Sequence, residues 1–337
     1  MIERDEPLSF GRGMRPSKVL KLIFVWAILI VAMGEIGIRL FVDLPIDYVD
    51  EKSACYRYDP TLGWFPREAA DCIHSAKFDT EINNNTDGFR DRDHDLTRGG
   101  SSMAFLGDSF VWGYDVKAEK RFTSVIQAFL PDWSILNMGV SGYGTDQEYL
   151  LLQGWYPKYT PDIVVLVVHT NDSIDNSTNF RDNYYKPYFE GVEGHLVLKG
   201  TPVPKCYRFQ QAQHPFAFRS HFVRGLAVLY NRINKPERVT VTDLKLPLIA
   251  AMNHYVTERG SLFRVVFTYR NDSLDETSYL EERNIRYLHV PTDLKFEDYG
   301  QHWTEEGHAS VAAKILERLY REGLITDDDL EKYPSLN

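Results

Sequence analysis

One serine stands where an apolar stretch meets a tight turn. Residues 105–109 read FLGDS, so Ser109 directly follows a run that predicts a buried strand over 102–107. A serine in such a turn is usually a turn or helix-capping residue. It can act as a nucleophile when a base and hydrogen-bond donors for an oxyanion lie beside it. The rest of the chain offers candidates for both.

Two later strand ends carry candidate oxyanion donors. The strand predicted over 134–139 runs into a glycine-rich loop that contains Gly142, and the strand predicted over 162–169 is followed by Asn171. The carboxyl ends of parallel strands meet at one edge of a sheet, where ligands bind. We therefore expect Ser109, a glycine N–H and the Asn171 amide to converge there, as stabilisation of a tetrahedral oxyanion requires.

His302 is the candidate base among ten histidines. It lies in a loop just before the last predicted helix, 305–322, so it can reach the same edge of the sheet. His308 lies inside that helix, which favours a structural role. The two histidines lack the i, i+4 spacing of a helical zinc site, and we predict no metal.

Strands and helices alternate from residue 101 onward. The hydrophobic patterns predict strands over 102–107, 134–139, 162–169, 262–268 and 285–290, and helices over 121–130, 145–155, 244–259, 276–284 and 305–322. This alternation predicts a parallel sheet with helices on both faces.

Residues 173–242 interrupt the alternation. They contain a predicted hairpin that turns at 191–194 and an apolar-faced helix over 216–234. Because the insertion follows a strand end at the ligand-binding edge, we interpret it as cap-like. A packing element without a role in substrate binding is the alternative.

The amino-terminal part of the chain predicts a membrane anchor over 20–42. As a helix this segment would span roughly 34 Å, enough for a bilayer core. Glu35 and Arg39 interrupt it on one helix face and can form a pair. Basic residues precede it and carboxylates follow it, so the positive-inside rule predicts a cytoplasmic tail over 1–19 and everything after 43 outside. A cleaved signal peptide and a buried helix of a soluble protein are the alternatives.

The charge and the cysteines of the chain bear on three questions: nucleic-acid binding, disulfide formation and zinc binding. A net charge of −10 argues against a nucleic-acid-binding protein, which needs a basic surface. Cys55 and Cys72 lie in a loop-rich extension over 43–100 and could form a disulfide outside the cytoplasm, with free thiols as the equal alternative. Cys206 is left over. No cysteine and histidine spacing indicates zinc.

Four sequence blocks, taken in order, resemble one family. FLGDSFVWG, NMGVSGYGTDQ, HTND and DYGQHWTEEGH resemble the ordered blocks of the SGNH/GDSL hydrolase superfamily. DPTLGWFP, NTDGFRD and YYKPYF resemble a bacterial branch of it with an N-terminal membrane anchor. The resemblance covers residues 55 to 322. The G-x-S-x-G motif is absent around the serine, which disfavours the α/β-hydrolase fold.

The resemblance implies a fold and a set of site residues. The fold is a flavodoxin-like three-layer α/β/α sandwich with a five-stranded parallel sheet, over residues 101–325. Ser109 would be the nucleophile and His302 the general base. The oxyanion hole would consist of the Ser109 N–H, the Gly142 N–H and the Asn171 side chain. No cofactor is implied.

The chain departs from the family pattern at two places. His169 begins the third block, where the family has a glycine. Family members also carry the triad aspartate two or three residues before the histidine, and here those positions hold a glycine and a tyrosine. The closest carboxylate is Asp298, which we predict as the third triad member, with Asp293 after the last strand as the alternative.

These observations predict a membrane-anchored, extracytoplasmic serine esterase that hydrolyses an acyl ester or an acylated glycan through an acyl-enzyme on Ser109. An O-acyltransferase that acetylates an envelope polysaccharide is the alternative, with the same residues and an acyl donor supplied by a multi-spanning membrane protein. A non-catalytic glycan-binding module is the third hypothesis.

Overall fold

The structure is a computed structural model that describes residues 16–42, 44, 55–95, 99–270, 274–297 and 301–330. The chain divides into two compact units. One unit contains residues 1–48 and 213–235, and the other contains residues 49–212 and 236–337. We call them the helical unit and the catalytic unit, the second after the predicted catalytic residues that it contains.

The elements are named in chain order. The helices are α1 (Pro16–Phe41), α2 (Ser109–Trp112), α3 (Phe122–Phe129), α4 (Thr145–Tyr159), α5 (Asp172–Asn176), α6 (Tyr207–Gln213), α7 (His221–Ile233), α8 (Lys245–Thr257), α9 (Leu274–Glu282), α10 (Glu305–Arg321) and α11 (Asp327–Leu330). The strands are β1 (Tyr56–Asp59), β2 (Gly63–Pro66), β3 (Asp71–Ser75), β4 (Asp79–Asn83), β5 (Ser102–Gly107), β6 (Ser134–Gly139), β7 (Ile163–Val168), β8 (Phe180–Arg181), β9 (Tyr184–Tyr185), β10 (Tyr188–Val192), β11 (His195–Lys199), β12 (Leu262–Phe267) and β13 (Arg286–His289). Short 3₁₀ turns cover Ala118–Lys120 and Ala217–Arg219.

The catalytic unit is built on a five-stranded parallel sheet in the order β13-β12-β7-β5-β6. All five strands lie within two residues of the predicted positions. β7 is buried along its whole length, and its residues alternate between two hydrophobic clusters: Val164 and Leu166 belong to one, Val165 and Val167 to the other. The sheet therefore has a core on each face.

Helices cover both cores. α4, α8 and α9 supply buried residues to the first cluster, and α3 and α10 supply them to the second. The predicted three-layer α/β/α sandwich with a five-stranded parallel sheet is confirmed. One predicted boundary was short, because α4 continues through Pro157 to Tyr159. Proline leaves the carbonyl four residues earlier without its helical donor, and the Tyr255 hydroxyl lies 3.5 Å from that Gln153 oxygen.

The extension over 43–100 is more ordered than predicted. Where we expected a loop-rich segment, it forms two antiparallel hairpins, β1–β2 and β3–β4. Asp59 Oδ1 accepts hydrogen bonds from the Thr61 and Leu62 N–H groups at 2.9 Å and so stabilises the first turn. A disulfide joins Cys55 to Cys72 across the two hairpins. Strands of four or five residues give a weak sequence pattern, and tertiary contacts supply their stability.

The insertion over 173–242 contains the predicted hairpin, which is formed by β10 and β11. The helix predicted over 216–234 is present as the second 3₁₀ turn followed by α7. Residues 213–235 belong to the helical unit with α1 and not to the catalytic unit. The cap-like role of the insertion, and the other predicted domain boundaries, stay predictions.

α1 is long and apolar enough to cross a membrane. The segment Ser17–Phe41 has a mean hydropathy of 2.3, and most of its large apolar side chains are exposed. The predicted apolar helix is thus present; its place in a membrane is taken up below as a proposal.

Candidate active site

The turn that presents Ser109 is built by its neighbours. β5 ends at Gly107, where a Cβ atom would lie 2.3 Å from Val111 Cγ2, so only glycine lets the chain turn so closely. Asp108 then caps α2, because its Oδ1 accepts a hydrogen bond from the Phe110 N–H at 2.9 Å. Ser109 is the first residue of α2 and keeps 9% of its surface exposed. The serine is therefore held at the carboxyl end of β5, next to the central strand β7.

The predicted base lies beside the predicted nucleophile. Ser109 Oγ and His302 Nε2 are 2.7 Å apart, although the two residues are 193 positions apart in the sequence. In the arrangement that activates a serine, the hydroxyl donates this hydrogen bond and the imidazole nitrogen accepts it. The geometry is thus suited to proton transfer from Ser109 to His302.

Contacts of the His302 backbone and of the His302 ring orient this residue. Its carbonyl accepts a hydrogen bond from the Phe296 N–H at 2.8 Å. Thr304, two residues later, caps the N-terminus of α10. The His302 ring stacks on Tyr114, with centroids 4.2 Å apart and planes 15° apart. The Phe110 ring lies 5.0 Å away. Since Phe110 and Tyr114 follow Ser109 closely, the segment that presents the nucleophile also positions the base.

The third triad member stays a prediction. Asp298 lies outside the described residues, which stop at 297 and resume at 301. Asp293 and Glu297 are described, and both side chains are exposed. The structure therefore tests neither the choice of Asp298 nor the alternative.

The glycine-rich loop lies against α2. A Cβ atom on Gly139 would come within 2.4 Å of the Trp112 nitrogen, and the Val140 N–H donates to the Gly107 carbonyl at 3.0 Å. Gly142 has a φ of +78°, a backbone conformation that glycine adopts without strain. The loop that carries the predicted Gly142 donor is thus adjacent to the turn that carries Ser109.

The first hairpin of the extension supports this loop. Trp64 Nε1 donates to the Ser141 carbonyl at 3.2 Å, and the Tyr143 hydroxyl donates to the Trp64 carbonyl. Gln147 Nε2 donates to the Leu62 carbonyl at 2.7 Å. All of these groups except Leu62 are at most 5% exposed. Sequence reasoning did not connect DPTLGWFP with this loop.

Asn171 reaches the site but is already engaged. Its Nδ2 donates to Asp108 Oδ2 at 2.9 Å and to Asp175 Oδ2 at 3.1 Å. An amide nitrogen carries two hydrogens, so both are used. Its Oδ1 is buried and has no hydrogen-bond partner among the described residues. As an oxyanion donor, Asn171 would have to withdraw one N–H from a carboxylate, and its role stays a prediction.

A group of buried carboxylates lies next to Asn171. Asp108, Glu148, Asp172 and Asp175 are each at most 1% exposed. Burial, reinforced by the neighbouring carboxylates, raises the pKa of Glu148 and of Asp172 well above the ordinary values. Both Glu148 carboxylate oxygens lack a partner in the described part of the chain. The neutral form of these two groups is therefore favoured.

Two cations from the insertion pair with the buried carboxylates of Asp146 and Asp175. Lys186, which is 1% exposed, binds Asp146 and donates to the Asp175 carbonyl at 3.0 Å, and Arg181 pairs with the Asp175 carboxylate. Burial raises the pKa of Asp175 to about 6, and Arg181 opposes that rise. Sequence reasoning missed this charge cluster. Its signal was the acidic residues in TDQE and NDSID, which directly follow a glycine-rich loop and a buried strand.

His169 packs against Phe110, the residue that follows Ser109. Its ring stacks on Phe110 at a centroid distance of 4.0 Å, and its Nδ1 lies 2.5 Å from Thr268 Oγ1. Burial lowers the pKa of His169 to about 4. His169, at the position where the family that the sequence resembles has a glycine, is thus a neutral packing residue with a polar contact at the end of β12.

Two cavities flank these residues. One, of about 480 Å³, lies beside Asn171 and is lined by Thr170, Ser173, Lys245, Tyr269 and Glu276 among others. The other, of about 850 Å³, lies beside the loop of His302 and is lined by Phe78, Asp115, Phe296, Thr304 and Glu305 among others. Both are large enough for a small ester substrate.

No protein-family model matches the chain, and no curated protein is similar enough in sequence to count as a relative. Solved structures do match. A lipolytic protein of the G-D-S-L family from Veillonella parvula is 14% identical, with a TM-score of 0.40 over 66% of this chain and 100% of that one. The psychrotrophic esterase EstA from a Pseudoalteromonas species is 10% identical, with a TM-score of 0.38 over 67% and 100%.

A catalytic mutant of the acetylxylan esterase Axe2 from Geobacillus stearothermophilus is 13% identical, with a TM-score of 0.34 over 66% and 95% of the two chains. The four sequence blocks resemble those of the SGNH/GDSL superfamily. G-D-S-L family proteins are also among the solved structures to which the chain is similar.

Proposed function

We propose that this protein is a membrane-anchored serine esterase of the SGNH type, with its catalytic unit outside the cytoplasm. The observation that carries the proposal is the 2.7 Å contact between Ser109 Oγ and His302 Nε2 at the carboxyl edge of the parallel sheet. Such a contact converts a weak hydroxyl nucleophile into a reactive one.

The reaction follows from the positions of these groups. Ser109 Oγ attacks the acyl carbonyl while His302 accepts its proton, and a tetrahedral oxyanion forms beside α2 and the Gly142 loop. His302 then protonates the leaving alcohol, which leaves an acyl-enzyme on Ser109. Water attacks the acyl-enzyme with His302 as base, releases the acid and restores the serine. The Ser109 and Gly142 N–H groups, and an N–H released by Asn171, are the proposed oxyanion donors.

Three features support the location. α1 has the length and hydropathy of a membrane span, and the charges around it satisfy the positive-inside rule. The bond between Cys55 and Cys72 is typical of proteins that fold in an oxidising compartment. A single-pass anchor with residues 1–19 in the cytoplasm fits these features.

A charged fluorophosphonate that cannot cross the cytoplasmic membrane tests nucleophile and location together. Added to spheroplasts that express the full chain, it should label the wild type and the control Ser124→Ala, whose hydroxyl donates to the Ala118 carbonyl at 2.6 Å. It should not label Ser109→Ala. Equal labelling of Ser109→Ala would remove the nucleophile. Labelling of the wild type only after lysis would contradict the location and leave the nucleophile intact.

The acyltransferase alternative uses the same acyl-enzyme and differs in what attacks it. Purified protein in detergent, given a labelled acyl ester with and without glycan, distinguishes the two by mass spectrometry of the products. Free acid as the main product in both reactions is expected. An acylated glycan would favour transfer, and absence of turnover would favour the glycan-binding module.

A further inference from the structure

The helical unit joins α1 to a segment of the insertion that is 185 residues away in the chain. Glu35 of α1 is the centre of the contact. Its Oε2 accepts hydrogen bonds from Ser220 Oγ and from the Phe222 N–H, both at 2.8 Å. Its Oε1 accepts from Arg39 Nε at 2.7 Å and lies 3.6 Å from His221 Nδ1. The carboxylate in the apolar helix thus caps the first turn of α7.

Glycines bring the two helices close together. A Cβ atom on Gly34 would lie 2.3 Å from the Phe222 ring, and a Cβ atom on Gly225 would lie 2.7 Å from Ile38 Cδ1. Close approach through small residues is typical of helix pairs in membranes, where apolar burial gives little driving force and tight packing replaces it. The two contacts also show that α1 and α7 run in the same direction past each other.

The position of Glu35 sets the depth at which α7 begins. Glu35 precedes Arg39 by one helical turn, about 6 Å along the axis. Arg39 is the basic residue of the last turn of α1. If the span over 20–42 crosses the membrane, Glu35 and the first turn of α7 lie about 10 Å inside its outer end, where a charged group needs the partners that Glu35 has.

The side of α7 that contacts α1 through Phe222 and Gly225 continues beyond those contacts as an exposed apolar stripe. Leu226, Leu229, Tyr230 and Ile233 are 51%, 53%, 62% and 72% exposed, and their spacing places them on one side of the helix. Phe216, just before α7, is 82% exposed. The exposed apolar residues at the end of α1, Ile36, Leu40 and Phe41, form the same kind of surface within the same unit.

The charges of this segment are all of one sign. Residues 213–235 contain four basic residues, Arg219, Arg224, Arg232 and Lys235, and no aspartate or glutamate, although the whole chain carries a net charge of −10. A helix with an apolar stripe and basic residues has the composition of an interfacial helix that binds anionic lipids.

We propose that α7 is a second membrane-binding element: it lies beside the outer end of α1, with the Leu226, Leu229, Tyr230 and Ile233 stripe at the outer boundary of the acyl region and the exposed Arg232 and Lys235 among anionic headgroups. This inference rests on the proposed membrane anchor. It assigns to part of the insertion a lipid contact in addition to the one made by α1.

Fluorescent labels on single introduced cysteines test the proposal in the full chain. In a Cys206→Ser background, Leu229→Cys reports on the α7 stripe, Val25→Cys on the middle of α1 and Tyr320→Cys on an exposed position of the catalytic unit. Each protein is labelled with an environment-sensitive nitrobenzoxadiazole dye and reconstituted into phosphatidylglycerol and phosphatidylethanolamine vesicles. Quenching by nitroxide-labelled lipid is compared with quenching by aqueous iodide.

We expect the labels at 229 and 25 to lose most of their fluorescence with nitroxide lipid and to show blue-shifted emission. The label at 320 should be quenched by iodide. A label at 229 that iodide quenches while the label at 25 stays in lipid would overturn the proposal for α7 and leave the anchor intact. Iodide quenching at both positions would contradict the anchor itself.

Association with a second copy of the chain is the other outcome. A label at 229 that neither quencher reaches, together with disulfide-linked dimers of unlabelled Leu229→Cys under mild oxidation, would show that protein and not lipid covers the stripe. Retention of fluorophosphonate labelling by each variant shows that the catalytic unit is folded.

Discussion

The Asp175 carboxyl should make the protein less stable as the pH rises. Asp175 is fully buried, and burial, as the largest cause, raises its pKa from 3.8 to about 6. Between these two values the folded state holds a proton that the unfolded state has lost. Stability then decreases with increasing pH, because the proton number is higher in the folded state.

The magnitude follows from the shift. A difference of about 2.2 pKa units corresponds to about 3 kcal/mol over the full titration, at about 1.36 kcal/mol per unit. Between pH 4.5 and 7.5, a single site with these two pKa values loses about 2 kcal/mol of unfolding free energy. Part of the stability is already lost at pH 4.5, since the unfolded carboxyl titrates below that pH.

Asp175→Asn removes the titration and keeps the shape. The amide oxygen of the new side chain can still accept the Asn171 N–H, and Arg181 keeps its contact with Asp182. Urea unfolding of the full chain in mild detergent, followed by tryptophan fluorescence at several pH values, measures the effect. The difference in unfolding free energy, variant minus wild type, should increase by about 2 kcal/mol from pH 4.5 to pH 7.5.

Asp182→Asn is the matched control. Asp182 pairs with the same Arg181, but its side chain is 59% exposed. Its unfolding free energy should follow that of the wild type at every pH. If Asp175→Asn also ran parallel to the wild type, the buried carboxyl would not be the source of pH dependence, and the account of the charge cluster would be wrong.

Two further predictions concern the extension and the glycine-rich loop. Replacing Cys55 and Cys72 with serine should cost about 3 kcal/mol of unfolding free energy, given a sequence separation of 17, and a reducing agent should abolish the difference from the wild type. Gly139→Ala should lower the unfolding free energy by about 1–3 kcal/mol and reduce turnover, because the new Cβ would meet the Trp112 nitrogen at 2.4 Å. Gly154→Ala, in α4 with open space around it, should raise stability by about 0.5–1 kcal/mol. Thermal unfolding of both variants and of the wild type measures these changes in stability. A Gly139→Ala protein as stable as Gly154→Ala would contradict the close approach of Gly139 to Trp112.

The central sheet and the pairing of Ser109 with His302 could be predicted because both leave strong local patterns. Buried parallel strands are continuous apolar runs, and strand ends place their loops at one edge. The positions of the strand ends in the sequence therefore predict that Ser109 and His302 lie close together, although they are far apart in the chain.

The hairpins and the charge cluster could not be predicted in this way. β1 and β2 are four residues long, and their stability comes from contacts such as that of Trp64 with the Ser141 carbonyl. The acids in TDQE and NDSID are typical of exposed helix starts, and only the folded arrangement shows that Glu148 and Asp172 are buried. The packing of α1 on α7 depends on Glu35, which the sequence paired only with Arg39.

The reciprocal hydrogen bonds between the first hairpin and the glycine-rich loop limit how this protein can be re-engineered. Trp64 and Tyr143 each donate to the other's segment, and Gln147 donates to the Leu62 carbonyl. A loop transplanted from an esterase without this hairpin would leave buried donors and acceptors unpaired, each at a cost of about 1–3 kcal/mol. Changes in substrate preference at this edge of the sheet therefore require the hairpin and the loop to be exchanged together, as one cassette.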